Sequence, residues 1–401
     1  MRILFVHNRY QQTGGEDSVV QAESRLLLRM GHEVEVWEEN NDSIVSRMDA
    51  LVTGFQSVYS FEHARKMGER IRCFRPDLVH IHNFFPRLSP SIHRACLRAG
   101  VPVVQTLHNF RLLCPAATFS GREKVCEECL GKSIPWPSIL HGCYRKSRAA
   151  SAAVATMLSI HRALGTWRHS VSHFIALSEF ARDRFIAGGL PADKIAIKPN
   201  FVDSDRGIGS GRGNFALFVG RLVEEKGVGT LLAAWSRLSV KPKLKIIGDG
   251  PHAPAVANAA ATIREIEWLG LRSKEEVSRA MAKASILIVP STWYEGFPLV
   301  VAAGFAAGLS IIASRIGGLA ESVSDGRTGL LVSPGNPDEL GNAVSWAFSH
   351  SGELQTMRLR ARSEFERKYT AEANYARLLD VYEAAIASLP MQVHLRQSAA
   401  V

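Results

Sequence analysis

The sequence predicts an α/β protein built from two doubly wound domains that face a cleft, and three observations carry that expectation. Short apolar runs alternate with helical patterns in both halves. A polar, glycine-rich stretch at 199–213 separates the halves. The 401 residues suit two domains, each long enough to bury a core. Strands separated by helices imply parallel sheets joined by right-handed crossovers.

The elements follow in order. Residues 2–7 read as a strand, because the apolar run Ile3-Leu4-Phe5-Val6 meets polar His7-Asn8-Arg9. That run is too short for a signal peptide. A loop at 13–17 contains Gly14 and Gly15, and a helix at 18–30 is stopped by Gly31. Strands follow at 32–37, 77–82 and 101–107, with a helix at 89–98. A strand at 174–177 leads to a helix at 178–187. After the break, strands are expected at 215–219, 244–247, 286–289 and 310–313, and helices at 228–238 and 299–307. The tail is helical from residue 337 to about Leu389, and 391–401 should fray. The expected division is an acceptor-side domain at 1–198, a linker at 199–213, a nucleotide-binding domain at 214–375, and a helix and tail at 376–401.

Apolar residues make up 46% and charged residues 21%, as in ordinary globular proteins. The net charge of +10 points to an anionic partner. Between Glu128 and Glu179 there is no acid, while Lys132, Arg145, Lys146, Arg148, Arg162 and Arg168 fall there. This basic segment reads either as a solvated face or as a contact for an anionic membrane surface. In the second reading, Val154, Met157, Leu158, Ile160, His161 and Leu164, at near-helical spacing, lie on a bilayer; in the competing one they pack on the sheet. No nucleic-acid motif accompanies the charge, so nucleic acid is not expected as a partner. No run reaches the roughly 18 apolar residues of a membrane span, so the expected location is cytoplasmic, peripheral on the inner membrane face if it touches the membrane. Cys73, Cys96, Cys114, Cys126, Cys129 and Cys143 are expected as reduced thiols.

Three strand ends in the second half carry candidate chemistry, since open parallel sheets bind ligands at their carboxyl edge. In Val219-Gly220-Arg221-Leu222-Val223-Glu224-Glu225-Lys226-Gly227, Gly220 is expected to let the backbone turn, and Arg221 and Lys226 could neutralise a departing diphosphate. The plainer reading is a basic turn paired with Glu224 and Glu225. Gly248-Asp249-Gly250-Pro251 is a tight turn, weak evidence alone. In Pro290–Leu299 a strand gives way to a helix near Pro298, whose N–H groups around Phe297 to Val300 would form an anion site. Glu295 could accept hydrogen bonds from sugar hydroxyls or simply cap the helix start.

The set VGRLVEEKG, IIGDGP, WLG, PSTWYEGFP and IGGLAESVSDGRTGLLV, in this order, resembles the retaining glycosyltransferases of family 4. The resemblance spans nearly the whole chain and implies the GT-B fold, two Rossmann-like domains. It implies a nucleoside-diphosphate sugar as donor and a polysaccharide or lipid-linked acceptor, of the kind used in lipopolysaccharide or exopolysaccharide assembly. Arg221 and Lys226 match the family's diphosphate-binding pair. Glu295 matches the first acid of E-x7-E, and the backbone of Gly296, Phe297, Pro298 and Leu299 matches the phosphate cradle, with Gly248 and Gly250 nearby. The second acid is replaced by Ala303, which cannot hold the donor ribose, and Pro298 replaces a more usual glycine. A catalytically weakened, sugar-nucleotide-binding scaffold is therefore the alternative reading.

In the first half, His82 and His108 end successive strands. The resemblance places His108 near the donor sugar, as a hydrogen-bonding group. It also matches Gly14 and Gly15 to a glycine loop approaching donor or acceptor, against the simpler reading of a plain turn. No catalytic divalent ion is expected: the one Asp-x-Asp spacing, Asp203-Ser204-Asp205, falls in the polar stretch between the halves. Cys114, Cys126, Cys129 and Cys143 either form a structural zinc site stapling the loop at 112–144 or remain four packed thiols.

Overall fold

The computed structural model describes residues 1–9, 14–41, 47–121 and 124–388. Thr13 of the glycine loop, the expected helix end at Leu389 and the expected frayed tail at 391–401 lie outside the described residues. The chain divides into two units: Met1–Lys198 with Tyr375–Val401, and Pro199–Asn374.

The first unit holds a six-stranded parallel sheet. Its strands are β1 (Arg2–Arg9), β2 (Glu33–Asn40), β3 (Leu78–Asn83), β4 (Val103–Leu107), β5 (His173–Ala176) and β6 (Ile195–Ile197). Their spatial order is β2-β1-β3-β4-β5-β6, so the order reverses between β1 and β3. Ile3 and Phe5 of β1 and Leu78 of β3 pack with Leu378, Val381 and Tyr382 from the helix Ala371–Ala387. That final helix thus returns to the first unit's core.

The second unit repeats the plan with β7 (Phe215–Val219), β8 (Lys243–Ile247), β9 (Ile266–Gly270), β10 (Ile286–Val289), β11 (Ser310–Ser314) and β12 (Gly329–Val332). The order is β9-β8-β7-β10-β11-β12, with the reversal between β7 and β10. All pairings in this sheet are parallel. Trp235, Leu231 and Val228, from the helix Val228–Arg237, bury against Ala216, Ile246 and Ile288 of the sheet.

Several expectations change in detail. The first helix begins at Gly15, not residue 18, because Glu16 and Asp17 suit its positive amino end. The glycine-rich stretch after Pro199 is not a free linker. Arg358 donates to the Gly308 and Gly209 carbonyls at 2.9 and 2.8 Å, and Arg362 pairs with Asp205 at 2.6 Å. The basic segment forms a helix, Arg148–Ala163, that buries Val154, Met157, Leu158 and His161 and leaves Ile160 and Leu164 exposed. His161 Nε2 reaches the Val58 carbonyl of the helix Arg47–Val58 at 2.7 Å. Most of its apolar face is therefore covered by protein. No described helix is long and apolar enough to cross a membrane.

Candidate active site

In an open parallel sheet, the crevice forms where the strand order reverses. In the second unit that point lies at the carboxyl ends of β7 and β10, and the predicted residues gather there. Lys226, in the turn after β7, places Nζ 2.7 Å from both oxygens of Glu295, in the loop after β10. Ser291 Oγ donates to Glu295 Oε1 at 2.5 Å. The loops are also tied by backbone: Thr292 N–H donates to the Glu225 carbonyl at 3.0 Å. Lys226 and Glu295 are 26% and 16% exposed, so their pair stays open to a ligand. Arg221 is exposed, and its guanidinium has no hydrogen bond or ion pair among the described residues. The three side chains therefore present one unpaired cation and one cation–carboxylate pair on the same edge.

The loops approach one another too closely for side chains. Gly248 has φ +143°, and a Cβ there would lie 1.9 Å from the Gly220 carbonyl. A Cβ on Gly318 would meet the Gly296 carbonyl at 2.1 Å, and Gly318 N–H donates to the Glu295 carbonyl at 2.8 Å. The backbone bends at Gly220 as expected, but the bend does not demand a glycine: a Cβ there would meet only the Phe218 ring, at 3.6 Å. The crowding belongs to Gly248 across from it. Pro298 is extended, with φ −72°, and opens the helix Leu299–Ala306. The first N–H groups of that helix have no intrahelical partner. Pro298 has no N–H, so only its neighbours Phe297, Leu299 and Val300 can donate to an anion there. Ala303 lies one turn further along, half-buried.

The first unit brings a second set together at its own reversal point, between β1 and β3. His82 Nδ1 lies 3.0 Å from His108 Nε2, with the rings stacked 5.3 Å apart. His82 Nε2 and Glu23 Oε2 face each other at 3.7 Å, each without a hydrogen-bond partner. Glu23 is ion-paired to Lys198, and His80 sits between Tyr382 and Thr106. Burial holds His80 and His82 well below the usual imidazole range, reinforced by nearby Lys198 and the neighbouring histidines. Burial, with His7 and Lys198 adding to it, carries His108 down to about 3. These rings are neutral at pH 7 and act as hydrogen-bonding groups. Among the described residues, Glu23, His80 and His82 bring three potential metal-ligand atoms within 4.8 Å of one another. The cation at that cluster is the Lys198 ammonium, and both His80 nitrogens already have partners.

Gly14 and Gly15 stand at the start of the first helix, where Gly14 N–H donates to Asp17 Oδ2 at 2.6 Å. Asp17 is also held by His7 Nε2 at 2.8 Å. Burial works against its charge, but the bonds from His7 and Gly14 outweigh it and lower its pKa. Burial raises Glu16, which accepts from Asn109 at 2.7 Å. Two carboxyl groups at this helix start favour a hydroxyl over a phosphate as neighbour.

All six cysteines are free thiols. Burial pushes Cys129 up to about 12 and Cys143 to about 11, and the adjacent cysteines Cys114 and Cys126 add to both. The loop thus gathers the four predicted thiols as neighbours, but no three of their sulfurs lie within 4.8 Å of one another. A zinc tetrahedron needs sulfurs about 3.8 Å apart, from Zn–S bonds of about 2.3 Å.

The sequence reading missed Ser291, Glu23 and Lys198. Ser291 sits inside the recognised motif, four residues before Glu295, and that spacing was the available signal. Glu23 and Lys198 are 175 residues apart and meet only through the fold.

Comparison with known proteins identifies the family. A model for "Glycosyltransferase Family 4" matches residues 13–206, and one for "Glycosyl transferases group 1" matches residues 213–350. An uncharacterized glycosyltransferase of Methanocaldococcus jannaschii is 36% identical over 42% of this chain and 48% of its own. The alpha-maltose-1-phosphate synthase of Mycolicibacterium smegmatis is 30% identical over 64% of each chain. The match thus spans about half to two-thirds of these curated relatives. Among solved structures, Anabaena HepE in complex with UDP superposes with a TM-score of 0.65 at 17% identity, over 96% of this chain and all of that one, a likeness of fold. With matched regions running from residue 13 to residue 350 and two parallel sheets of the GT-B plan, the chain belongs to the family 4 glycosyltransferases.

Proposed function

We propose that the chain transfers a sugar from a nucleoside-diphosphate donor to a polysaccharide or lipid-linked acceptor, with retention of anomeric configuration. The observation that carries this reading is the convergence of Arg221, Lys226 and Glu295 at the reversal point of the second sheet. As the bond between the sugar's anomeric carbon and the diphosphate oxygen breaks, negative charge grows on the leaving group. Arg221, Lys226 and the N–H groups of Phe297, Leu299 and Val300 stabilise that charge in place. Glu295 accepts hydrogen bonds from the sugar hydroxyls, and Ser291 holds its orientation. His108, neutral, hydrogen-bonds a sugar hydroxyl, and its own orientation is set by His82. The departing phosphate takes the proton from the acceptor hydroxyl, so the protein's role is positioning and electrostatics.

Ala303 favours a second reading, a nucleotide-sugar-binding subunit with little turnover, because its methyl group offers the ribose no acceptor. One experiment separates the two: purified full-length chain is screened against UDP-, GDP- and ADP-sugars for binding and for slow donor hydrolysis. Binding with release of the nucleoside diphosphate supports the transferase. Binding without release favours the subunit, and no binding to any donor sinks both.

A further inference from the structure

A cavity of about 650 Å³ opens in the first unit between the helices Arg47–Val58 and Arg148–Ala163. Its volume is that of a small-ligand pocket. One wall is Phe85-Pro86, which follow β3, so it lies on the carboxyl side of the sheet where ligands bind. Phe55, 73% exposed, borders it beside Ala149 and Ala153, and no Asp or Glu is among the described residues that line it. One end is cationic: Arg145 lines it, and Arg111 stacks on two of its lining rings. Arg111 lies over the rings of Phe85 and Tyr144, at 4.6 and 5.0 Å, and Arg145 lies 5.7 Å from the Tyr144 ring. Arg145 and Lys146 both adopt left-handed backbone conformations, with φ of 53° and 52°. Two consecutive residues with side chains rarely do so, and such outliers concentrate at functional sites. An apolar groove with a cationic end and no carboxylate among its described lining residues complements an amphiphile with an anionic head.

We propose that this cavity holds the apolar tail of a phosphorylated lipid acceptor, whose phosphate is met by Arg145. This rests on the glycosyltransferase reading and names its acceptor class. A free phosphate would leave the apolar walls unused, and an uncharged lipid would leave the cations unused.

The test titrates the full-length chain calorimetrically with farnesyl phosphate below its micelle concentration, alongside farnesol and inorganic phosphate. Saturable binding of farnesyl phosphate is expected, with farnesol about tenfold weaker and phosphate undetectable. Thr156→Trp and Ala149→Trp place an indole in the groove from exposed positions, which spares the fold, and each should weaken binding about tenfold. Arg145→Asn, chosen because asparagine tolerates the left-handed conformation, should weaken it about fivefold. No saturable binding, unchanged affinity in both tryptophan variants, or equal binding of farnesol would overturn the proposal. UDP binding on the same samples separates the two failures. If UDP binds and farnesyl phosphate does not, this site alone is wrong. If farnesyl phosphate binds with the expected variant pattern and no nucleotide binds, the lipid site stands and the transferase reading falls.

Discussion

Replacing Lys198 with methionine would leave the Glu23 carboxylate charged and alone inside the first unit. The two side chains are 1% and 0% exposed and ion-paired to each other. Among the described residues the other close polar neighbours of Glu23 are His82 Nε2, at 3.7 Å, and His80, both kept neutral by burial. Water cannot reach the site to replace the lost cation. Breaking such a buried pair from one side costs about 3–5 kcal/mol. At about 2–4 °C per kcal/mol for a domain of this size, the unfolding midpoint of the first unit should fall by about 6–20 °C. Adding Glu23→Gln removes the stranded charge, and the double variant should return to within about 1–2 kcal/mol of the parent. Scanning calorimetry and urea unfolding read both. A single variant that loses less than about 1 kcal/mol, or a double variant no better than the single, would refute the reasoning. The pair also backs His82 and, through it, His108. The single variant should therefore disturb the His82–His108 contact, visible as shifted imidazole nitrogen resonances.

Other outcomes follow from the same geometry. Buried His93, with a pKa carried down to about 4, and His108, down to about 3, stay unprotonated in the fold while the unfolded chain takes up protons below about 6.5. Stability of the first unit is thus full above that pH and falls on acidification, by up to about 1.4 kcal/mol per pH unit for each histidine. A midpoint unchanged between pH 6.5 and 4.5 would contradict this. Gly248→Ala forces a methyl group against the Gly220 carbonyl and should destabilise the second unit by about 2–5 kcal/mol in urea unfolding, while displacing Arg221. A loss below about 1 kcal/mol would show that the loop yields easily. If the loop closes its four neighbouring thiols on a metal, freshly purified protein should carry about one zinc per chain. Trace zinc by metal analysis would leave them as packed thiols.

Much of this was legible in the sequence where function and local pattern coincide. In the second sheet β7 and β10 are short, fully apolar runs followed by glycine or proline, and β8, although it carries Lys243 and Lys245, ends in Ile246-Ile247 before Gly248, so the three stand out, and Arg221, Lys226 and Glu295 follow β7 and β10 at fixed offsets. The elements that escaped are those with weak or mixed patterns. β6 has only three residues, and β9 alternates poorly because one side of it is half-exposed. The helix Phe61–Phe74 carries Phe61 at its start in solvent, which obscures its buried stripe of His63, Met67 and Ile71. The reach of Arg358 to Gly209 and the Glu23–Lys198 pair join segments distant in sequence, so nothing local announces them. At Gly220 the backbone bends as expected, but the close approach that demands a glycine is at Gly248, after the adjoining strand, which its turn motif did not announce.

The most direct measurement is titration calorimetry of UDP-, GDP- and ADP-sugars against the parent chain, Arg221→Ala and Lys226→Ala. The site described above predicts saturable binding of at least one donor, weakened about tenfold or more in each variant, since each removes a charge-assisted contact to the diphosphate. Absence of binding by the parent, or unchanged affinity in both variants, would contradict a diphosphate-sugar site at the reversal point of the second sheet.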